Sequence, residues 1–196
     1  MIRHGQSTYN LENRFTGSLD VPLSNQGVEE AKTASKKLKN YSIDIAFTST
    51  LKRAIDTLQV ILNVEENSHI SIVRNKALNE RNYGELQGLN KAEAIIKYGE
   101  AQVTLWRRSY NERPPGGESL KDKEARVIPY FNEIICEKLK LGLNVLIVAH
   151  GNSLRAIVKN LDAINDKDIV DLNIATGSIY RYRFDKDLRI TDKEIF

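Results

Sequence analysis

The chain has 196 residues, 41% of them hydrophobic and 28% charged, a composition that suits one soluble globular domain with a core of its own. No apolar run approaches the roughly 18 to 20 residues of a membrane span, no signal peptide is expected ahead of Arg3, and the single cysteine, Cys136, excludes an internal disulfide and every cysteine-rich metal motif. A net charge of +3, spread as pairs such as Lys36-Lys37, Lys52-Arg53 and Arg107-Arg108, is not the basic stripe of a nucleic-acid binder, so neither membrane nor nucleic acid is expected as a partner and a cytoplasmic location follows.

Only Met1 and Ile2 stand ahead of Arg3, so a strand leading into the first turn is expected to be nearly absent. Arg3-His4-Gly5-Gln6-Ser7-Thr8-Tyr9-Asn10 then places a cation, an imidazole, a turn residue and several hydrogen-bond donors in one loop. Ser24 reads as the N-cap of a helix with Val28, Ala31 and Leu38 on its apolar face. Ile43 to Thr48 reads as a short buried strand and Leu51 to Leu62 as the helix after it. Arg53 falls in that helix's first turn, where the dipole disfavours a cation; it is either an exposed helix cation or held there for another reason. Ile70 to Val73 reads as a strand, and His69, in the polar stretch Glu65-Glu66-Asn67-Ser68, as a surface residue. Leu78 to Leu89, dense in polar residues and glycine, reads as an ordered loop with short turns.

Lys91 to Tyr98 and Glu100 to Arg108 read as helices separated by Gly99. Glu112 to Gly117 is a breaker cluster. Ser119 and Asp122 form a capping box that opens a long helix towards Leu141, ended by Gly142, with Pro129 as an expected kink. Val145 to Val148 is a continuous apolar run, typical of a strand covered on both faces. Ser153 to Leu161 and Asp166 to Leu172 read as helices, and Ile179 to Phe184 as a last, alternating strand. Strands alternating with helices predict a three-layer α/β/α sandwich with a mostly parallel central sheet, as a single domain over 1–196 with a shortened first strand.

The grammar of the first loop recurs where Val145 to Ala149 runs into His150-Gly151-Asn152-Ser153, with Arg155 close behind. Such βα turns point backbone N–H groups outward, which suits an anion. A lone His-Gly at a strand end is turn chemistry. Two copies, one introduced by arginine, in a chain with three histidines, would set two imidazoles around one phosphate.

Arg3-His4-Gly5 resembles the signature of the histidine phosphatase superfamily. More narrowly, RHGQSTYN, NRFTG at Asn13 to Gly17, TSTLKRA at Thr48 to Ala54, LNERNYGELQGLNKAE at Leu78 to Glu93, WRRSY at Trp106 to Tyr110 and AHGNSLRA from Ala149 resemble the phosphoglycerate mutases primed by 2,3-bisphosphoglycerate. The resemblance implies interconversion of 3-phosphoglycerate and 2-phosphoglycerate, in glycolysis and gluconeogenesis, through a phosphohistidine on His4. It implies that Arg3, Arg53, His150 and Asn10 clamp the phosphoryl group with the Gly151 and Asn152 backbone nearby, and that Glu80 is the general acid/base. Gly5, Gln6, Ser7, Thr16, Gly17, Tyr83, Lys91, Arg107 and Arg108 match the family's substrate-binding positions.

The same resemblance implies 2,3-bisphosphoglycerate as the priming donor, small phosphoglycerates as the partners, and a possible homo-oligomer. A phosphomonoesterase on the same fold, or an impaired variant that only binds anions, are the alternatives. Two features depart from the family's usual form: the short strand before Arg3, which implies either a true start further upstream or a truncated and weakened variant, and a tight turn at Arg113 to Glu118 with a short tail, a shorter lid that predicts more hydrolytic leakage. There is no HExxH, Asp-rich loop or GxxxxGK[ST], so no metal and no nucleotide are expected.

Overall fold

The computed structural model describes residues 1–63 and 67–196. Glu65 and Glu66 of the polar stretch around His69 lie outside the described residues; His69 itself is exposed. The central sheet has four parallel strands, β1 (Ile2–Arg3), β2 (Ile45–Thr48), β3 (Ser71–Arg74) and β4 (Val145–Ala149), in the order β1-β4-β2-β3. Strand alternation sends its side chains to two cores. Ile45, Phe47, Ile147 and Ala149 pack on one face against Val127 of helix α6 (Leu120–Tyr130) and Leu154 and Ile157 of α8 (Gly151–Leu161). Ile2, Ala46, Leu146 and Val148 pack on the other against Ala34 of α2 (Asn25–Leu38) and Leu58 and Ile61 of α3 (Lys52–Leu62). These are the three layers.

Local chemistry sets the helix ends. Ser24 accepts from the Gly27 N–H to start α2, and Ser7 does the same for the short α1 (Thr8–Leu11) in a capping box with Asn10. Helices α4 (Lys91–Tyr98) and α5 (Glu100–Arg108) meet at Gly99, whose φ of 83° suits glycine. The long helix after Ser119 is not continuous. Past Pro129 it passes through a π-helical segment, Phe131–Ile135, before α7 (Cys136–Lys140), so the kink expected at the proline is taken up as a wide turn.

Two local expectations are corrected, and a third, the short first strand, is met with an addition. Asp166 to Leu172 forms only a 3-10 turn at Asp168–Asp171. The last strand, β5 (Tyr180–Phe184), has a partner that alternation did not mark: β6 (Ile190–Ile195) pairs antiparallel with it, and its residues are exposed, so no buried face imposed a hydrophobic period. The strand before His4 is two residues long, yet it is held on both sides. On one side Ile2 and Arg3 pair with Val148 and Ala149; on the other, Met1 O accepts from Tyr180 N–H and Arg3 O from Gly177 N–H. Beyond it, Val145 to Ile147 of β4 face a groove of about 610 Å³ bounded by β5, with Phe131, Ile135, Leu38 and Ile43 above and below. The catalytic-type residues lie elsewhere, at the carboxyl ends of the strands.

Candidate active site

His4 and His150 follow directly from β1 and β4, which are neighbours in the sheet with Arg3 opposite Ala149. That register brings the two imidazoles edge to face, with ring centroids 4.9 Å apart. Ser49, just past β2, completes the row: its Oγ lies 2.7 Å from His150 Nε2. In open α/β sheets this end of the strands is where ligands bind.

His4 is a buried neutral base whose two ring nitrogens have different partners. Its Nδ1 lies 2.7 Å from the Gly5 carbonyl oxygen, which can only accept, so Nδ1 carries the proton and Nε2 the lone pair. Arg53 Nε donates to that Nε2 at 3.3 Å. Burial first, then the charges of Arg53 and Arg3, hold the imidazole's pKa well below its ordinary 6.5. His150 is lowered for the same reasons, burial leading, and its Nδ1 is buried without a partner.

Arg53, 1% exposed, is no surface helix cation. Besides His4 it donates to the Leu19 and Gly17 carbonyls, both at 2.8 Å, so it ties the 16–19 loop to the nucleophile. Gly17, at φ 55°, has Gln87 Oε1 2.1 Å from where a Cβ would stand. Gly5 and Gly27 let the nucleophile loop touch α2: a Cβ on Gly27 would lie 2.1 Å from the Gln6 carbonyl oxygen. Gly27→Ala gains helix propensity of about 1 kcal/mol, but the backbone clash outweighs it. A net loss of about 2 kcal/mol in urea unfolding is expected; an alanine variant as stable as the parent would show that loop and helix separate freely.

Glu80 reaches the site from the loop between two 3-10 turns, Lys76–Leu78 and Gly84–Leu86. Its carboxylate accepts from its neighbour Arg81 N–H at 2.7 Å and from Asn152 N–H, in the first turn of α8, at 3.3 Å. Asn152 Nδ2 donates to the Tyr83 hydroxyl at 3.3 Å. Burial lowers the pKa of both Lys91 and Arg107, and for Lys91 the Arg107 charge adds to it; clustered cations of this kind await an anion.

These residues line a cavity of about 140 Å³. Arg3, His4, Asn10, Thr16, Gly17, Arg53, Glu80, Tyr83, Lys91, Arg107, Arg108, Gly151 and Asn152 all face it. Gly5, Gln6 and Ser7 do not, and neither does His150, which packs against His4. Gly5 packs on Gly27 and donates to Thr57 Oγ1, Gln6 accepts from Ser24 Oγ, and Ser7 caps α1; their work in this geometry is to shape the loop. Arg14, Phe15, Arg155, Asn173 and Ile174 line the cavity in addition. Arg155 stood beside the His150 motif in sequence, whereas Asn173 and Ile174 carry no local signal and arrive because the chain returns past β1. The lining holds seven cationic side chains, Arg3, Arg14, Arg53, Lys91, Arg107, Arg108 and Arg155, against one carboxylate, Glu80. Buried Arg3 Nε, Thr16 Oγ1 and His150 Nδ1 have no hydrogen-bond partner among the described residues. Such a set of unmet donors fits a multiply charged phosphate ester such as 2,3-bisphosphoglycerate. Among the described residues no three His, Cys, Asp or Glu side chains converge as metal ligands.

Known proteins resemble this chain in sequence and fold. A profile of the histidine phosphatase superfamily (branch 1) matches residues 1–192. A Cytophaga hutchinsonii protein named 2,3-bisphosphoglycerate-dependent phosphoglycerate mutase is 56% identical over 188 residues, 96% of this chain and 88% of its own length. One of the same name from Rhizobium rhizogenes is 49% identical over 197 residues, covering 100% of this chain and 93% of the relative. Among solved structures, a mycobacterial glucosyl-3-phosphoglycerate phosphatase complexed with VO3 superposes with a TM-score of 0.85 at 28% identity, over 100% of this chain and 95% of that one. The chain therefore belongs to branch 1 of the histidine phosphatase superfamily and, within it, to the family of 2,3-bisphosphoglycerate-dependent phosphoglycerate mutases.

Proposed function

We propose that this chain interconverts 3-phosphoglycerate and 2-phosphoglycerate by way of a phosphohistidine on His4. The observation that carries the reading is a neutral imidazole with its lone pair on Nε2, lining a cavity of seven cations and one carboxylate and packed against a second buried imidazole, His150. 2,3-Bisphosphoglycerate supplies the phosphoryl group that first loads His4. His4 Nε2 takes the phosphoryl group as the bond to the donor oxygen breaks. Arg3, Arg53 and His150 Nδ1 hold the equatorial oxygens, where phosphoryl transfer concentrates its charge. Glu80 takes the proton of the accepting hydroxyl as that oxygen bonds phosphorus, and returns a proton to the leaving oxygen in the reverse step. Tyr83, Lys91, Arg107 and Arg108 hold the substrate's carboxylate and second phosphate. Cytoplasmic glycolysis is the setting that goes with this substrate.

Glu80→Gln keeps the shape and removes the base. Turnover is expected to fall roughly 10² to 10⁴-fold, with KM within about threefold. Full activity in that variant would remove Glu80 from the proposal. The phosphatase name of the 28%-identical structural relative favours, as a second reading, hydrolysis of a phosphomonoester through the same His4. Following 3-phosphoglycerate by phosphorus NMR, with and without added bisphosphoglycerate, separates the two: the mutase yields 2-phosphoglycerate and depends on the primer, whereas a phosphatase yields glycerate and inorganic phosphate.

A further inference from the structure

Arg81 and Arg155 are buried guanidiniums to which the reaction as proposed gives no step, although Arg155 is one of the cations that line the cavity. Arg81 is 0% and Arg155 4% exposed, and neither has an ion-pair partner among the described residues. Charges so placed need a compensating set of acceptors. Both find part of it at one shared spot, the end of α5, the helix whose last two residues are Arg107 and Arg108.

A helix leaves its last four carbonyls without intrahelical donors. In α5 the Leu105 carbonyl accepts from Ser109 N–H. The other three are met by the two arginines. Arg81 Nη2 donates to the Trp106 carbonyl at 2.7 Å and the Arg107 carbonyl at 3.4 Å, and Arg155 Nη2 to the Arg108 carbonyl at 2.8 Å. Each arginine is anchored at the other end on the catalytic floor. Arg81 directly follows Glu80 and donates its own N–H to that carboxylate, while its Nη1 reaches the Glu118 carbonyl at 3.2 Å. Arg155 donates to Asn152 Oδ1 at 3.0 Å and the Ile169 carbonyl at 2.7 Å, and Asn152 N–H in turn holds Glu80. Two separate routes thus join Glu80 to the one helix end that presents Arg107 and Arg108. A planar fork with several donors spans such a gap; an ammonium, a point donor, does not.

We infer that Arg81 and Arg155 are positioning residues, a two-point clamp that sets where Arg107 and Arg108 stand relative to Glu80 and His4. The inference rests on the substrate assignment above for its ligand, though not for its geometry. It predicts that losing a clamp point loosens substrate binding through Arg107 and Arg108 and disturbs the α5 terminus, without altering the neutral imidazoles.

The test uses the whole chain and its sole tryptophan, Trp106, which is packed edge-on against Tyr98 at 5.3 Å and whose own carbonyl is clamped by Arg81. In Arg155→Met the calorimetric Kd for 3-phosphoglycerate is expected to rise about tenfold, and Arg155→Lys should not restore it. In an Arg108→Ala background, Arg155→Met should add less than about twofold, since the arm it positions is already gone. Arg81→Met should raise acrylamide quenching of Trp106 about twofold. If Arg81→Met does not fold, the Arg155 pair of variants decides alone. Unchanged affinity in folded Arg155→Met, full rescue by lysine, or independent tenfold losses in the Arg108→Ala background would each overturn the clamp. A parent protein that binds 3-phosphoglycerate without turning it over would sink the functional reading and leave this test intact. One that does not bind it would sink that reading too, and Trp106 quenching in Arg81→Met then decides the clamp.

Discussion

His4→Ala is expected to take up no acid-labile phosphate from 2,3-bisphosphoglycerate and to lose mutase turnover by roughly four orders of magnitude or more. The reason is geometric before it is chemical. Nδ1 is committed to the Gly5 carbonyl, so Nε2 is the only nitrogen of that ring able to attack, and Arg53 already points at it. His150 does not substitute, because it is not among the residues that line the cavity and its Nε2 faces Ser49 Oγ. The pH dependence follows from sign. Burial, then Arg53 and Arg3, lower the folded pKa of His4 well below 6.5, so the base form persists where a free imidazole would be half protonated. Labelling of His4 should therefore hold its rate down to about pH 6, one half-unit below the ordinary pKa. Phosphate on the His4→Ala protein, or a labelling rate that halves at pH 6.5, would contradict the assignment of Nε2 as the nucleophile. It would also reopen the reading of this chain as a binder of anions only.

Lys123→Met is expected to stabilise the protein at pH 7, against the ordinary rule that buried contacts are lost at a cost. Lys123 sits in α6 at 0% exposure, and its ammonium donates to the Ala77 carbonyl at 2.5 Å with no carboxylate in contact. Burial, with the Arg126 charge adding to it and Glu80 and Glu118 opposing, lowers its pKa from 10.5 to about 7. The unfolded chain then binds more protons than the folded one between about pH 7 and 10.5, so stability rises with pH through that window and is lowest below it. At about 1.4 kcal/mol per unit, the protonated side chain costs the fold several kcal/mol near pH 7. Leaving the Ala77 carbonyl without its donor costs about 1–3 kcal/mol, softened because Arg126 also reaches it at 3.4 Å. A net gain of about 2 kcal/mol is expected, with the alkaline rise in stability removed. Guanidinium unfolding at pH 7 and pH 9.5 measures both. A methionine variant less stable than its parent, with the parent's own stability flat across that range, would show that the ammonium is solvated or paired.

Much of this protein was legible in its residues. Where local chemistry decides, the reading and the structure coincide: Ser24 and Ser119 cap helices as their side chains dictate, and Lys91–Tyr98 and Glu100–Arg108 fall on the expected bounds with Gly99 between them. The motif residues from His4 to Asn152 that converge on one cavity were nameable because each belongs to a short stretch with its own chemical grammar. Less was legible where neighbours decide. Asp166 to Leu172 carries enough helical pattern to suggest a helix, yet packing stops it at one 3-10 turn around buried Ile169. Strand β6 has no buried face, so its pairing with β5 left no period to read.

By itself, then, the amino-acid sequence determined the helix caps, the buried strands, the two His-Gly turns and the stock of cations around them. Each of these depends on groups within a few residues of one another. Only the tertiary structure decided that β1 and β4 lie side by side, which puts His4 against His150. It also decided that Gly5, Gln6 and Ser7 shape the loop while Arg14, Asn173 and Ile174 line the cavity, and that Arg81 and Arg155 meet at the end of α5. The bonds from Arg81 to Trp106 and from Arg3 to Ile174 join residues 25 and 171 positions apart, and such contacts are selected by sheet order and by the demand of buried charges for acceptors, neither of which any local stretch encodes.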